Sequence, residues 1–150
     1  ILPLWEKEFR EDAIVRSVHH GTHIEGNQLE KGEAYDVLRG KEVMARARDV
    51  QEVINYRKVI DYIEKVTNVK IDENTIADLH KIAIKNVLPD AAAGVLREKE
   101  VVIRNSITGD VAFRPPKAVE VPWQMKELVI FIQEEPEIQR RIGRSVQRRP

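Results

Sequence analysis

The sequence predicts a mainly α-helical fold, a helical bundle with one inserted β-hairpin. Apolar residues recur at helical spacing through most of the first 88 positions. Two short β-prone runs, Glu100 to Asn105 and Val111 to Arg114, flank a five-residue loop ending in Gly109 and Asp110. Finally, 33% charged and 42% hydrophobic residues is the balance of a charge-rich, folded helical chain and too apolar for disorder. At 150 residues the chain is about one ordinary domain long, so two independent domains are not expected.

Each element has its own signal. From Pro3 to Ile24 the positions Leu4, Phe9, Ile14, Val18 and Ile24 predict a first helix, which Gly26 and Asn27 stop. A short helix over Gln28 to Leu38 presents Leu29, Tyr35 and Leu38 and ends at Gly40. Ala47, Val50, Val53, Ile54, Ile60, Ile63 and Val66 form one stripe on a long helix spanning about Val43 to Val66. Asp72 suits the N-cap of a helix to about Val87 that turns Ile76, Leu79, Ile82 and Ala83 inward before Pro89. After the hairpin, Pro115 and Pro116 end the second strand because neither can donate to a ladder. Pro122 then fits the first turn of a helix to about Glu134. The expected organisation is a helical region over 1–88, the hairpin and following helix over 89–136, and a basic tail over 137–150. No repeat of 20 to 50 residues is present.

Composition narrows the function classes. The 25 Lys and Arg match 25 Asp and Glu, so overall charge offers nothing to a nucleic acid or an anionic membrane. The neutrality is a sum of unlike parts: the tail from Glu137 holds five arginines against one glutamate, +4, leaving −4 for residues 1 to 136. A solvated tail is the reading preferred over nucleic-acid binding. Cysteine is absent, which removes disulfides, thiolate metal sites and a cysteine nucleophile, and leans toward a cytoplasmic chain. The longest apolar run, Leu128 to Ile132, is far short of the roughly 20 residues of a membrane span, so no membrane partner is expected. Beginning at Ile1, the sequence reads as a trimmed or partial chain.

Few residue groups could carry chemistry. His19 and His23 stand four apart near Glu25, but the glutamate that usually lies between two such histidines is missing and Gly21 weakens the helix, so no metal site is expected. His80 reads as an ordinary partly buried histidine. No phosphate-binding glycine loop, serine hydrolase elbow or kinase signature occurs, and no catalytic residue is assigned. Glu25 in Ile24-Glu25-Gly26-Asn27 stands at the negative pole of its helix, where a carboxylate is unfavourable without a cation; a solvated glutamate is the plainer alternative. The Val101-Val102-Ile103 run, if at a sheet edge, offers backbone groups to an extended peptide; a hairpin covering the core is the equal alternative.

Taken together, three separated segments resemble the Fic family of protein adenylyl transferases. They are Thr22 with Ile24-Glu25-Gly26-Asn27; Gly94-Val95-Leu96-Arg97 leading into Val101 and Ile103; and Phe113-Arg114-Pro115-Pro116 with Val121-Pro122, Met125 and Leu128. The resemblance covers Ser17 to Glu134. It implies a helical fold with a projecting hairpin, the flap, that docks the backbone of a protein substrate through Val101, Val102, Ile103 and Arg104. It also implies an inhibitory helix, here Thr22, Glu25, Gly26 and Asn27, whose Glu25 pairs with an arginine of the catalytic motif and blocks seating of the ATP γ-phosphate. The family's pattern puts Ser or Thr four residues before the glutamate; here Gly21 stands there and the hydroxyl is on Thr22.

The family's catalytic motif, His-x-Phe-x-Asp/Glu-Gly-Asn-Gly-Arg-x-x-Arg, does not occur in the 150 residues. It would supply the general base, the phosphate turn and the magnesium acid. The Fic-like unit is therefore expected to be incomplete, whether cut, frameshifted or degenerate before the motif. ATP and Mg2+ are implied for the complete enzyme, and this chain alone is expected to be inert and to bind neither tightly. A non-enzymatic interaction module using the hairpin edge is the alternative, and a homo-oligomer stays open.

Overall fold

The computed structural model describes residues 3–65 and 71–135, and nothing further is drawn from the side chains of Pro3 and Leu4. Val66 and the basic tail from Glu137 lie outside the described residues. The described residues form five α-helices, two short 3-10 turns and one two-stranded antiparallel hairpin, so they are mainly helical as the sequence predicts. The described residues gather into two compact units, 3–65 with 79–93 and 71–78 with 94–135.

The first unit is built on α1 (Pro3–Ile24), α2 (Lys31–Leu38) and α3 (Ala47–Lys65), each packed on the other two. Val18, Leu29, Ala34, Val37 and Val53 form the buried centre, with Ile14, Leu38, Val43, Val50, Ile54, Tyr56 and Ile60 around it. The α1 ends fall where the sequence puts them, but its inward face differs. Val15, Val18 and Thr22 face inward, whereas Phe9 is 62% exposed and Ile24 is 82% exposed. Phe9 is nine residues from Val18, about two and a half helical turns, so it leaves on the opposite side. Ile24, six residues beyond Val18, also misses the face.

The remaining helices show similar adjustments. α2 begins three residues later than expected because the Glu33 carboxylate accepts the Glu30 amide at 2.8 Å and sets the first turn there. Leu29 is buried just ahead of it, while Tyr35 is exposed and carries the Arg39 guanidinium 4.6 Å above its ring. On α3, which starts at Ala47 and not near Val43, Ala47 and Ile63 are exposed. The inward positions include two polar residues instead, Asp49 and Asn55.

Asn55, 1% exposed, donates to the carbonyls of Ala83 at 3.0 Å and Lys85 at 2.7 Å and accepts from Gln51 at 2.8 Å. It thereby satisfies carbonyls at the end of α4 (Glu73–Ile84) that no helical amide reaches. That helix stops at Ile84, short of Val87, and Asn86 takes a left-handed conformation before Pro89. Its Ile76, Leu79 and Ile82 are half-buried, and Ala83 is exposed, contrary to expectation. Asp72 caps it as predicted: the Thr75 amide and hydroxyl donate to Asp72 Oδ1 at 2.7 and 2.9 Å.

The second unit carries β1 (Ile103–Arg104), β2 (Val111–Phe113) and α5 (Val121–Glu134), with Pro122 in the first turn of α5. Ile103 pairs with Phe113 and Arg104 with Val111, so Ala112 is an extra residue that bulges β2. Gln133 on α5 donates to the Ile71 carbonyl at 2.8 Å, and Ala118 and Val129 are buried.

Two outcomes test this packing. Val53→Ala, which empties a fully buried site against Val18, should lower unfolding free energy by about 2 kcal/mol in urea titrations. Asp72 gives a pH test. Hydrogen bonds from the Thr75 amide, then its hydroxyl, then Asn74 hold the Asp72 carboxyl below its ordinary range. A depressed folded value stabilises above the unfolded value of about 3.9 and is lost as pH falls through the folded value. Asp72→Asn should therefore lose less stability than the parent between about pH 6 and pH 3; equal losses would contradict the cap.

Candidate functional site

The site is the C-terminal end of α1 and the turn after it. Thr22, His23 and Ile24 complete the helix; Glu25 is its cap residue and Gly26, at φ +89°, makes the left-handed turn that a side chain would strain. The Gly26 amide donates to the His23 carbonyl at 3.0 Å and the Asn27 amide to the Thr22 carbonyl at 3.2 Å, the paired bonds of a Schellman ending. Thr22 is buried, and its hydroxyl donates back to the Val18 carbonyl at 3.0 Å and the His19 carbonyl at 3.3 Å.

Asn27 then fastens this turn to α3. At 2% exposure, its amide nitrogen donates to the Asp49 carbonyl at 2.9 Å and to Glu52 Oε2 at 3.0 Å, while its oxygen accepts the Leu29 amide at 3.1 Å. Asp49, 3% exposed, is in turn held by a two-point guanidinium contact from Arg46, Nε at 2.8 Å and Nη2 at 3.0 Å, and by the Gln28 amide at 3.4 Å. Arg46 also reaches the Gly26 carbonyl at 3.4 Å, a cation at the negative helix end. Arg48 pairs with Glu52 at 2.8 Å. A small cleft of ≈ 80 Å³ lies among Glu25, Gly26, Arg46, Arg48, Asp49 and Glu52.

Within this ring the carboxylates of Asp49 and Glu52 are answered, but Glu25 is exposed and has no ion-pair or hydrogen-bond partner for its carboxylate among the described residues. The nearby arginines are already engaged. His19 and His23 stack at 5.4 Å, and His19 Nδ1 is enclosed without a hydrogen-bond partner. No group of three or more His, Cys, Asp or Glu able to hold a metal ion exists among the described residues.

The second unit holds the other predicted residues. Ile103 and Arg104 form β1, while Val101 and Val102 precede it outside the ladder, so the strand is shorter than expected. All four are exposed. Asn105 shapes the loop: its Oδ1 accepts the Ile107 and Thr108 amides at 2.8 and 3.2 Å, and its own amide donates to Asp110 at 2.9 Å. The base is clamped by Glu100, which accepts the Ala118 amide at 2.9 Å, and by Arg97, which donates to the Lys99 and Pro116 carbonyls.

No family model matches the sequence, and no curated protein matches it. Among solved structures, a Fic family protein from Desulfovibrio desulfuricans G20 superposes on 90% of this chain with a TM-score of 0.72 at 22% identity. The fold is Fic-like. The chain spans 41% of the length of that solved chain.

In this Fic-like fold Glu25, Gly26 and Asn27 lie together at one helix end with Thr22 a turn behind, whereas the hairpin residues lie in the other unit. Sequence reasoning missed Arg46, Asp49, Glu52 and Asn55. Asp49 and Asn55 interrupt the apolar stripe of α3 beside Val50 and Val53, and that interruption is the signal that could have marked them as inward-facing.

Asn27→Ala should cost about 2 kcal/mol, because the Asp49 carbonyl and the Leu29 amide lose their partner, and should speed hydrogen exchange at Leu29. Gln28→Ala, at an exposed neighbour, should stay within about 0.5 kcal/mol in the same denaturation series.

Proposed function

We propose that this chain is the regulatory and target-docking part of a Fic-type enzyme that transfers AMP from ATP to a hydroxyl of a protein substrate. The observation that carries the reading is a Fic-like fold over 90% of the chain with an unpaired glutamate at the end of α1, where the resemblance expects the inhibitory residue. A carboxylate at the negative pole of a helix is stabilised by a guanidinium, and a two-point arginine contact gives that pairing both strength and direction. Glu25 serves as that acceptor for an arginine of the catalytic motif. Thr22, Gly26 and Asn27 hold it at the helix end.

The hairpin supplies docking. Ile103 and Arg104 present one strand edge, with Val101 and Val102 leading into it, and an extended target segment adds to such an edge through backbone hydrogen bonds. The residues that would hold ATP and Mg2+ are those of the motif, which the 150 residues lack; among the described residues no group of three or more His, Cys, Asp or Glu fits the ion, and no step is routed through it. A non-enzymatic interaction module is the second reading, favoured by the exposed Val101, Val102, Ile103 and Ile107 on the same hairpin.

Incubated with labelled ATP and candidate targets, the 150-residue chain should transfer no label; adenylylation by it alone would refute its inertness. Joined to a segment carrying the motif it should modify itself slowly, and Glu25→Gly should raise that rate about tenfold or more, the weight of a charge-assisted pair. An unchanged rate would remove Glu25 from the inhibitory role. No transfer by either joined protein, with target binding retained, would favour the interaction module.

A further inference from the structure

Gly21 lies in the body of α1, four residues before Glu25, where the resemblance expects a Ser or Thr. Glycine is a poor choice inside a helix unless something needs the space of its missing side chain. Here something does. A methyl group on Gly21 would overlap Cζ, Oη and Cε2 of Tyr56, the last at 2.6 Å. Tyr56 belongs to α3 and packs, partly buried, against the cluster that holds Val18, Leu29 and Val53, so the ring lies across the α1 backbone one turn before Glu25 and would have to shift for a side chain to enter at Gly21.

The Thr22 hydroxyl is spent within its own helix. Thr22 bonds to the Val18 and His19 carbonyls of its own helix and so does not fasten α1 to a neighbour. Fastening falls to the ring on one side of Glu25 and to Asn27 on the other. We infer that Tyr56 is a positioning residue for Glu25: its ring, seated in the notch left by Gly21, replaces the pattern's missing hydroxyl and fixes where the end of α1 holds the carboxylate. The regulatory part of this inference rests on the reading of Glu25 given above; the positional part does not.

The chain contains no cysteine, so two introduced ones report a single distance. Nitroxide labels on Glu25→Cys and Lys58→Cys read the end of α1 against α3, and labels on Glu42→Cys and Lys58→Cys serve as a reference that omits α1. Gly21→Ser, which forces the ring out of the notch, should shift or broaden the first distance distribution and leave the second alone, and Tyr56→Ala should broaden the first as well. Tyr56→Phe, which keeps the ring, should change neither. A first distribution unaffected by Gly21→Ser, or one that Tyr56→Ala leaves narrow, would overturn the positional role.

If Gly21→Ser fails to fold by circular dichroism, Tyr56→Ala alone should broaden the first distribution with helix content retained; an unchanged width would overturn the inference. In the motif-bearing protein, Tyr56→Ala should raise self-modification in the same direction as Glu25→Gly, and the two together no further than Glu25→Gly alone. Additive increases would show that Tyr56 does not act through Glu25. Since the label distances need no ATP, they stand or fall separately from the transferase reading.

Discussion

The end of α1 depends on one buried amide. Asn27 is the residue at which the chain leaves α1, enters the loop to α2 and touches α3: its backbone amide donates to Thr22 of α1, and its side chain donates twice to α3 and accepts once from the loop. A buried amide with every group matched favours one arrangement, because each alternative leaves a polar atom dry. The two-point Arg46 contact does the same for Asp49, whose nearly full burial would otherwise penalise its charge.

This matters more here because the apolar centre is small. Among the described residues the buried cluster of the first unit is five side chains of modest size, three of them valine, and such a cluster tolerates small shifts between helices. Polar anchors at the rim remove that tolerance. Asn55 does so for the end of α4, Asn27 for the end of α1, and Glu100 with Arg97 for the base of the hairpin. Each anchor answers backbone groups that secondary structure leaves over at an element's end.

How much of this was legible in the sequence follows from the range of each interaction. Local signals were read well: the ends of α1, the Asp72 cap, Pro122 at the start of α5 and the hairpin loop are each decided within a few residues. Face assignments on α1 failed at Phe9 and Ile24 because apolar residues were counted without holding a strict 3.6-residue register. Strand lengths were overstated because apolar, β-prone residues such as Val101 and Val102 satisfy the composition of a strand without a partner to pair with. Of the candidate site, Glu25, Gly26 and Asn27 were visible, whereas Asp49, 22 residues from Asn27, was not, since an acid on a long helix reads as part of a solvated face until its neighbour is known.

The Schellman ending gives Glu25 a further property. A residue on the last turn of a rigid helix is placed by counting, with about 1.5 Å of advance and 100° of rotation for every residue. The one-turn interval from Gly21 to Glu25 is therefore a length standard as well as a sequence motif. Substitutions within it can be absorbed where side chains have room, but an insertion or deletion would swing the carboxylate to another side of the helix, so evolution can vary the letters of this interval far more freely than their number.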